Sequence, residues 1–310
     1  YKNLGVGIST ENLWWGPGKK NSLLMSNNAR GFSHITFRSL SPVNIEIGHL
    51  EWQMIGGRLE GSGFPAPQPS DPVRPVFNSF RPFEEDWRYL NAFTFTYQPK
   101  WIPGMFLGMS RAVQQYSENV SENGGYFPIF INFFRENDEG RDESEIDQLL
   151  SLHFRWVWYE ARAEVYFEYG RNDASLNLRD FLMSPRHSRA FIFGMSKIFD
   201  VSLNNWVMQV SYEHTHMEQS NNFLIRDAGS WYLHSTVRHG YTNRGEVLGA
   251  GIGPGSNYDY FEIALVDGIK KIGFEFERLA HNQDFFYAAF RDTRDWRRFW
   301  IDYTFGLSGS

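Results

Sequence analysis

The sequence contains no cysteine. That excludes a disulfide scaffold and any thiolate metal site. No stretch of about 18 apolar residues occurs, so no helix of this chain spans a bilayer. Basic runs are absent too. With a net charge of −6 over 310 residues, this argues against nucleic acid as the main partner. No Gly-x-Ser-x-Gly elbow is present. The acidic triplet Glu84-Glu85-Asp86 is contiguous, so its carboxylates do not converge on one bond as a paired acid and base must. Triads are spatial, and a luminal Ser–His pair would leave no local signature. Nothing in the sequence favours one. The reading is a protein that is not an enzyme and needs no cofactor.

What is abundant is aromatic. The chain holds 28 Phe, 15 Tyr and 11 Trp, together 17% of its residues. Its mean hydropathy of −0.46 is that of a water-soluble protein. A transmembrane barrel reconciles the two values. It carries aromatic girdles at both interfaces, and its polar lumen lowers the mean.

The dominant pattern is alternation with period two, the mark of half-buried strands. Leu150, Leu152, Phe154, Trp156 and Trp158 share one face, opposite Ser151, His153 and Arg155. Ala161, Ala163, Val165, Phe167 and Tyr169 alternate with Arg162, Glu164, Tyr166 and Glu168. Trp206, Met208, Val210 and Tyr212 alternate with Gln209, Ser211 and Glu213. Ile272, Phe274 and Phe276 alternate with Gly273, Glu275 and Glu277, and a last strand runs from Phe299 to Leu307. Alternation fits two folds, a soluble sandwich or barrel with its charges in water, and a membrane barrel with its charges in the lumen. Strand lengths of ~9–11 residues favour the second, as do tyrosines near strand ends (Tyr159, Tyr169, Tyr212, Tyr303).

Parity slips between Ile47 and Leu50, which puts a bulge or turn at Gly48-His49. Tight turns at Leu203-Asn204-Asn205 and Asp267-Gly268 contrast with long connections over 57–86, 118–147, 172–189 and 218–257. The first of these holds Pro65, Pro67, Pro69, Pro72 and Pro75 and cannot be helical throughout. Within the second, Asp142 to Leu150 is expected to form a short helix. Short turns on one rim and long loops on the other are the asymmetry of outer-membrane barrels. The expected fold class is all-β, an antiparallel transmembrane barrel of about a dozen strands at roughly 25 residues per strand and connection, forming a single domain over 1–310.

Three segments carry a resemblance. The first is Trp14-Trp15-Gly16-Pro17-Gly18 followed by Ser22 to Arg30. The second is Pro185-Arg186-His187-Ser188-Arg189-Ala190-Phe191. The third is Arg238-His239-Gly240-Tyr241-Thr242-Asn243-Arg244-Gly245, followed by Leu248-Gly249. In this order they resemble the Wzi-like capsule assembly proteins. The resemblance implies a bacterial outer-membrane barrel of about eighteen strands that binds surface or capsular polysaccharide as a lectin and holds it on the cell. It also implies outer-membrane lipid, and other outer-membrane proteins, as partners. The chain opens at Tyr1-Lys2-Asn3 with no signal peptide. It is therefore read as processed or truncated, with its N-terminal strands lying upstream.

The candidate polysaccharide-binding residues come from those segments: Trp14, Trp15, Arg30, Arg186, His187, Arg189, Arg238, His239, Tyr241 and Arg244. Indole rings suit the apolar faces of pyranoses. Guanidinium forks suit carboxylates and phosphates. Loop His and Tyr side chains hydrogen-bond polyols. Each has a structural alternative. The tryptophans can brace a packed corner, and the arginines can pair with luminal Glu164, Glu168, Glu213, Glu275 and Glu277. Glu213-His214-Thr215-His216 places two histidines on one face, but no third ligand is evident and no metal is expected. The glycine run from Gly249 to Gly255 leads into Pro254 and no helix start, so it reads as a flexible loop and not a phosphate cradle. Two other functions remain open: an accessory barrel of a larger secretion or uptake complex, and a porin for charged or sugar solutes.

Overall fold

The computed structural model describes residues 3–309 apart from 65–85, 121–125, 127–145, 173–181, 202, 204 and 222–227. In chain order the strands are β1 (Leu4–Ser9), β2 (His34–Ser39), β3 (Val43–Ile45), β4 (Gly48–Leu59), β5 (Arg88–Pro99), β6 (Met105–Tyr116), β7 (Asp147–Trp158) and β8 (Ala163–Asn172). They continue as β9 (Arg189–Asp200), β10 (Val207–His216), β11 (Thr242–Asn243), β12 (Glu246–Val247), β13 (Asn257–Asp267), β14 (Lys270–Ala280) and β15 (Ile301–Gly309). One helix, α1 (Gln283–Thr293), lies between β14 and β15. Thirteen strands form one sheet in the order β1-β2-β4-β5-β6-β7-β8-β9-β10-β13-β14-β15, with β3 hairpinned onto β4. The small β11–β12 pair stands apart. Every pairing is antiparallel. Among the described residues β1 and β15 do not pair, and the sheet path is open there.

The sheet is inside out relative to a soluble domain. In β8, Glu164, Tyr166 and Glu168 are buried, whereas Phe167 is 39% exposed. In β13, Glu262 is buried between an exposed Ile263 and a half-buried Phe261. Val6 and Ile8 of β1 are 77% and 83% exposed. A soluble sandwich would reverse this order, because apolar area gains nothing by facing water. A barrel that meets lipid with its apolar face requires it.

Strand ends sort the connections. The segments 10–33, 60–87, 117–146, 173–188, 217–256 and 281–300 all emerge at one rim, and the short turns 100–104, 159–162, 201–206 and 268–269 at the other. The parity slip resolves as a two-residue turn, Glu46-Ile47, that joins β3 to β4. The helix expected over 142–150 is corrected where it is described. Asp147 to Leu150 open β7, because Asp147 pairs with Gln114 and the alternation of β7 already begins there. Residues 142–145 lie outside the described residues, as do the five prolines named above, Glu84 and Glu85, and Asn204 of the expected turn. Strands begin slightly later than expected in two places. Ala161 and Arg162 form the β7–β8 turn, and β10 starts at Val207.

The core fills the concave side of the sheet. The segment 13–32 folds inward from the rim and contributes Leu13, Trp15, Leu23, Leu24, Met25, Ala29 and Phe32. Trp231, Tyr232, Tyr241, Leu248 and Ala250 come from the long 217–256 connection. They pack on inward residues of the strands such as Ile55, Leu90, Tyr166 and Ile192. Buried acids of the wall hold this plug. Glu213 accepts from the backbone N–H of Lys19 at 2.6 Å, of Lys20 at 3.1 Å and of Asn21 at 2.9 Å. The Tyr166 hydroxyl donates to the same carboxylate at 2.7 Å. Glu164 takes Lys19 and Arg155, the latter at 2.7 Å. The Lys20 ammonium reaches Glu275 at 3.6 Å and Glu277 at 3.8 Å, and lies 3.8 Å above the Tyr260 ring. Luminal acids are thus matched mainly by the plug.

Replacing Glu213 with Leu leaves three successive backbone donors without their acceptor. We expect a loss of about 3 kcal/mol, and about half of that for Glu213→Gln, which keeps one acceptor oxygen. Urea unfolding of the refolded protein in micelles measures both, and an unchanged midpoint in Glu213→Leu would contradict the assigned role.

Candidate functional site

The plug begins with the corner Trp14 to Gly18, and each residue there has a definable reason. Gly16 takes φ +91°, and a Cβ on it would sit 2.9 Å from the Glu168 carboxylate. A Cβ on Gly18 would fall 2.0 Å from the Asn21 carbonyl oxygen. Only glycine lets the chain turn this close to the wall. Trp15 is buried, and its indole N–H donates to Gln53 Oε1 at 3.0 Å. Trp14 remains 36% exposed and donates to the Gly18 carbonyl at 2.9 Å. The two tryptophans therefore divide the roles that sequence reasoning weighed for both. Trp15 braces the packed corner, and Trp14 keeps a free ring face.

The third motif is the second half of the plug. Tyr241 is fully buried, stacked on Tyr232 with ring centroids 6.0 Å apart. Its hydroxyl is directed at the Met25 sulfur, 3.9 Å away. The glycine run expected to be a flexible loop is a packing surface. A Cβ on Gly249 would lie 2.1 Å from the Leu23 carbonyl oxygen, and Ser26 Oγ donates to the Gly249 carbonyl at 2.5 Å. The reason for the difference is tertiary: glycine allows the two inward segments to touch backbone to backbone. His239 meets the Tyr116 hydroxyl at 3.0 Å. Burial, and secondarily the charge of Arg88, holds the His239 imidazole down at a pKa of about 4. Arg244 takes φ +53° in the β11–β12 turn, and its backbone N–H donates to the Glu60 carbonyl at 2.9 Å. Arg30 is exposed, and its carbonyl accepts from Asn243 Nδ2 at 3.0 Å. Arg238 is half-buried beside them.

The second motif stands elsewhere on the rim. His187 is buried, whereas Arg186 is exposed and Arg189 is half-buried above the Phe191 ring, 5.5 Å from its centroid. Both arginines line an open cavity of about 470 Å³ together with His216, Glu218, Gln219 and Asn221. The ten candidates do not form one cluster. Trp15 and Tyr241 belong to the plug, Arg30, Arg238, His239 and Arg244 surround its outer end, and only Arg186 and Arg189 are brought together at a cavity.

A second cavity, of about 570 Å³, adjoins the first and shares Glu218, Gln219 and Asn221 with it. Its far side is α1, which presents Phe285 and Tyr287, 58% and 41% exposed. The wall between the cavities is fixed. Asp284 accepts from the Gln219 backbone at 2.8 Å and from Ser230 Oγ at 2.8 Å. Glu218 accepts from Asn257 Nδ2 at 2.7 Å, and burial first, with Asp284 nearby, raises its carboxyl above the ordinary range. Sequence reasoning missed His216 as a lining residue, and missed α1 altogether. The available signal was the density of rings over 285–299, where Phe286, Phe290, Trp296 and Phe299 pack into a small cluster of their own. The histidine pair is no ligand set in this arrangement. His214 Nδ1 lies 2.8 Å from Asp259 Oδ1, and no three metal-type ligands converge among the described residues.

The plug corner, the arginine cavity and the β11–β12 region are the three segments on which the resemblance rested, and the sequence profile described as capsule assembly protein Wzi matches residues 2–267. The chain belongs to the Wzi capsule assembly family. A solved structure, described as Wzi, an outer-membrane protein involved in group 1 capsule assembly in Escherichia coli and a carbohydrate-binding β-barrel, superposes with a TM-score of 0.63 at 15% identity. The match covers 92% of this chain and 55% of that one, so the chain spans about half the length of that protein. The likeness shows that the large antiparallel sheet of this chain has the fold of the corresponding part of that β-barrel. Comparison with curated proteins gives no significant match. In this member of the Wzi family, β14, α1 and β15 lie beyond the matched residues.

Two outcomes follow from these placements. Trp15→Ala should cost about 3–5 kcal/mol through the cavity it leaves in the plug, and Trp14→Ala under about 1 kcal/mol. Denaturant titration of both variants separates them, and equal losses would contradict the assignment. His239 stays uncharged in the folded protein down to about pH 4. The unfolded chain binds that proton first, near pH 6.5, so the His239 contribution to stability falls as pH drops from about 6.5 to 4. His239→Gln should flatten that slope when unfolding is followed at pH 4.5 and 7, and an unaltered slope would count against it.

Proposed function

We propose that this protein resides in the bacterial outer membrane and binds surface or capsular polysaccharide there, holding it on the cell without chemical conversion. The observation that carries the reading is the division of the molecule into a packed lumen and an open rim. Trp15, Leu23, Trp231 and Tyr241 fill the concave side of the sheet. Recognition is thereby left to the long connections, which the asymmetry of such barrels places outside the cell. There the Arg186–Arg189 cavity supplies charged forks, and the exposed Phe285 and Tyr287 supply aromatic faces, the chemistry a glycan needs. Exposed single contacts are weak, and a repeating polymer sums them by avidity. Family membership and the neighbouring carbohydrate-binding barrel support this reading. The filled lumen disfavours the porin alternative.

The test is capsule retention. Cells deleted for the gene should release polysaccharide into the medium with the total unchanged. Complementation with the Arg186→Gln/Arg189→Gln variant should restore retention only in part, by roughly half or less. Full retention in the deleted strain would overturn the anchor reading and direct attention to a protein complex served by the barrel.

A further inference from the structure

The two adjoining cavities differ in chemistry in a way that specifies a ligand. In the first, Arg186 and Arg189 form no ion pair among the described residues, the one lining acid, Glu218, accepts from Asn257, and Arg189 Nε is buried without a hydrogen bond. A guanidinium with a buried, unbonded Nε at the edge of an open cavity, beside a second arginine, is suited to an anion, best a planar carboxylate taken bidentately. The second is lined by two acids, Glu218 and Asp284, and Glu218 accepts from Asn257. Both Asp284 oxygens accept from Gln219 N and Ser230 Oγ. Beside these acids stand the exposed rings of Phe285 and Tyr287, and the side chains of Gln219, Asn221 and Asn282, with no cation among the described residues that line the cavity. Rings with amides and acids beside them suit the C–H face and hydroxyls of an uncharged sugar, and the acids repel a carboxylate there.

We infer that the two cavities are adjacent subsites of one glycan groove, the first for a carboxylate-bearing sugar and the second for a neutral one, so that the preferred polymer places an acidic residue next to an uncharged residue. This rests on the polysaccharide-binding reading above and adds the order of sugars to it. The shared wall of Glu218, Gln219 and Asn221 is the pivot: it touches both sugars and is tied to Asn257 and α1 before any ligand arrives. Because α1 lies beyond residue 267, the aromatic side of the neutral subsite comes from a part of the chain outside the family match.

The experiment uses the full chain in detergent micelles and two immobilised probes. These are surface polysaccharide extracted from the source strain and the same material after reduction of its carboxyl groups to alcohols. Arg186→Gln/Arg189→Gln should weaken binding of the native polymer tenfold or more. Carboxyl reduction should weaken the wild type by the same factor and the double variant no further, the signature of a coupled pair. Arg189→Lys, which keeps the charge, should recover part of the loss. Phe285→Ala/Tyr287→Ala should weaken both probes alike, about three- to tenfold. These rings are exposed, and heat-dependent gel migration checks that each variant is folded. Binding that ignores carboxyl reduction, an arginine effect that persists on the reduced polymer, or indifference to the aromatic pair would each overturn the subsites while leaving polysaccharide binding intact. Absence of any binding to the native polymer would overturn the general reading and the subsites with it.

Discussion

The Glu213 carboxylate is the interaction on which the rest of the molecule depends. A buried acid in a barrel wall is costly unless its lone pairs are met. Here three consecutive backbone N–H groups and one phenol meet them. A row of successive amides is a natural anion cradle, and in this protein the anion belongs to the wall and the amides to the inserted segment. That inversion fixes the insertion depth of residues 19–21. Trp15 then reaches Gln53, and Leu23 and Trp231 both close on the face of Gly170, where a Cβ would strike them.

From that constraint the functional surface follows. A barrel whose concave side is packed with tryptophan, tyrosine and leucine does its work at its ends. Of the two ends, only one has connections long enough to build anything, and every long segment of this chain emerges there. Two of them turn inward and become core. The stretches around 183–189, 217–221 and 281–300 stay on the rim and form the two cavities. Stability and recognition are thus drawn from the same set of loops, and neighbouring residues serve different ends: Trp14 and Trp15 differ by a single position, and so do His187 and Arg186.

Strand assignment was legible because it rests on local rules. Glu164, Tyr166 and Glu168 share a face by simple parity, and that face is buried as expected. The contrast of short turns with long loops was equally plain. The boundaries slipped by one or two residues where a turn borrowed the strand's apolar end, as at Ala161. Site residues were legible only as members of motifs. Nothing in the sequence distinguished Tyr241, sealed inside, from Arg186, open at a cavity, because both sit in polar stretches rich in arginine and histidine. α1 went unread since its aromatic spacing at Phe286 and Phe290 is a single helical step within a short connection.

By itself the sequence determined the class of structure: no cysteine and no apolar helix long enough to span, but repeated alternation with charged residues in mid-strand and a wealth of rings. Those features fix what each strand must do with its two faces, since side chains alternate regardless of what surrounds them. Only the tertiary structure decided which acids are matched by which cations, that the glycine run is a contact surface, and that Arg186 and Arg189 form no ion pair among the described residues. The physical reason is range. Parity acts between neighbours, whereas Lys19 finds Glu213, and Leu23 finds Tyr232, across about two hundred residues that only the closed packing of the plug brings together.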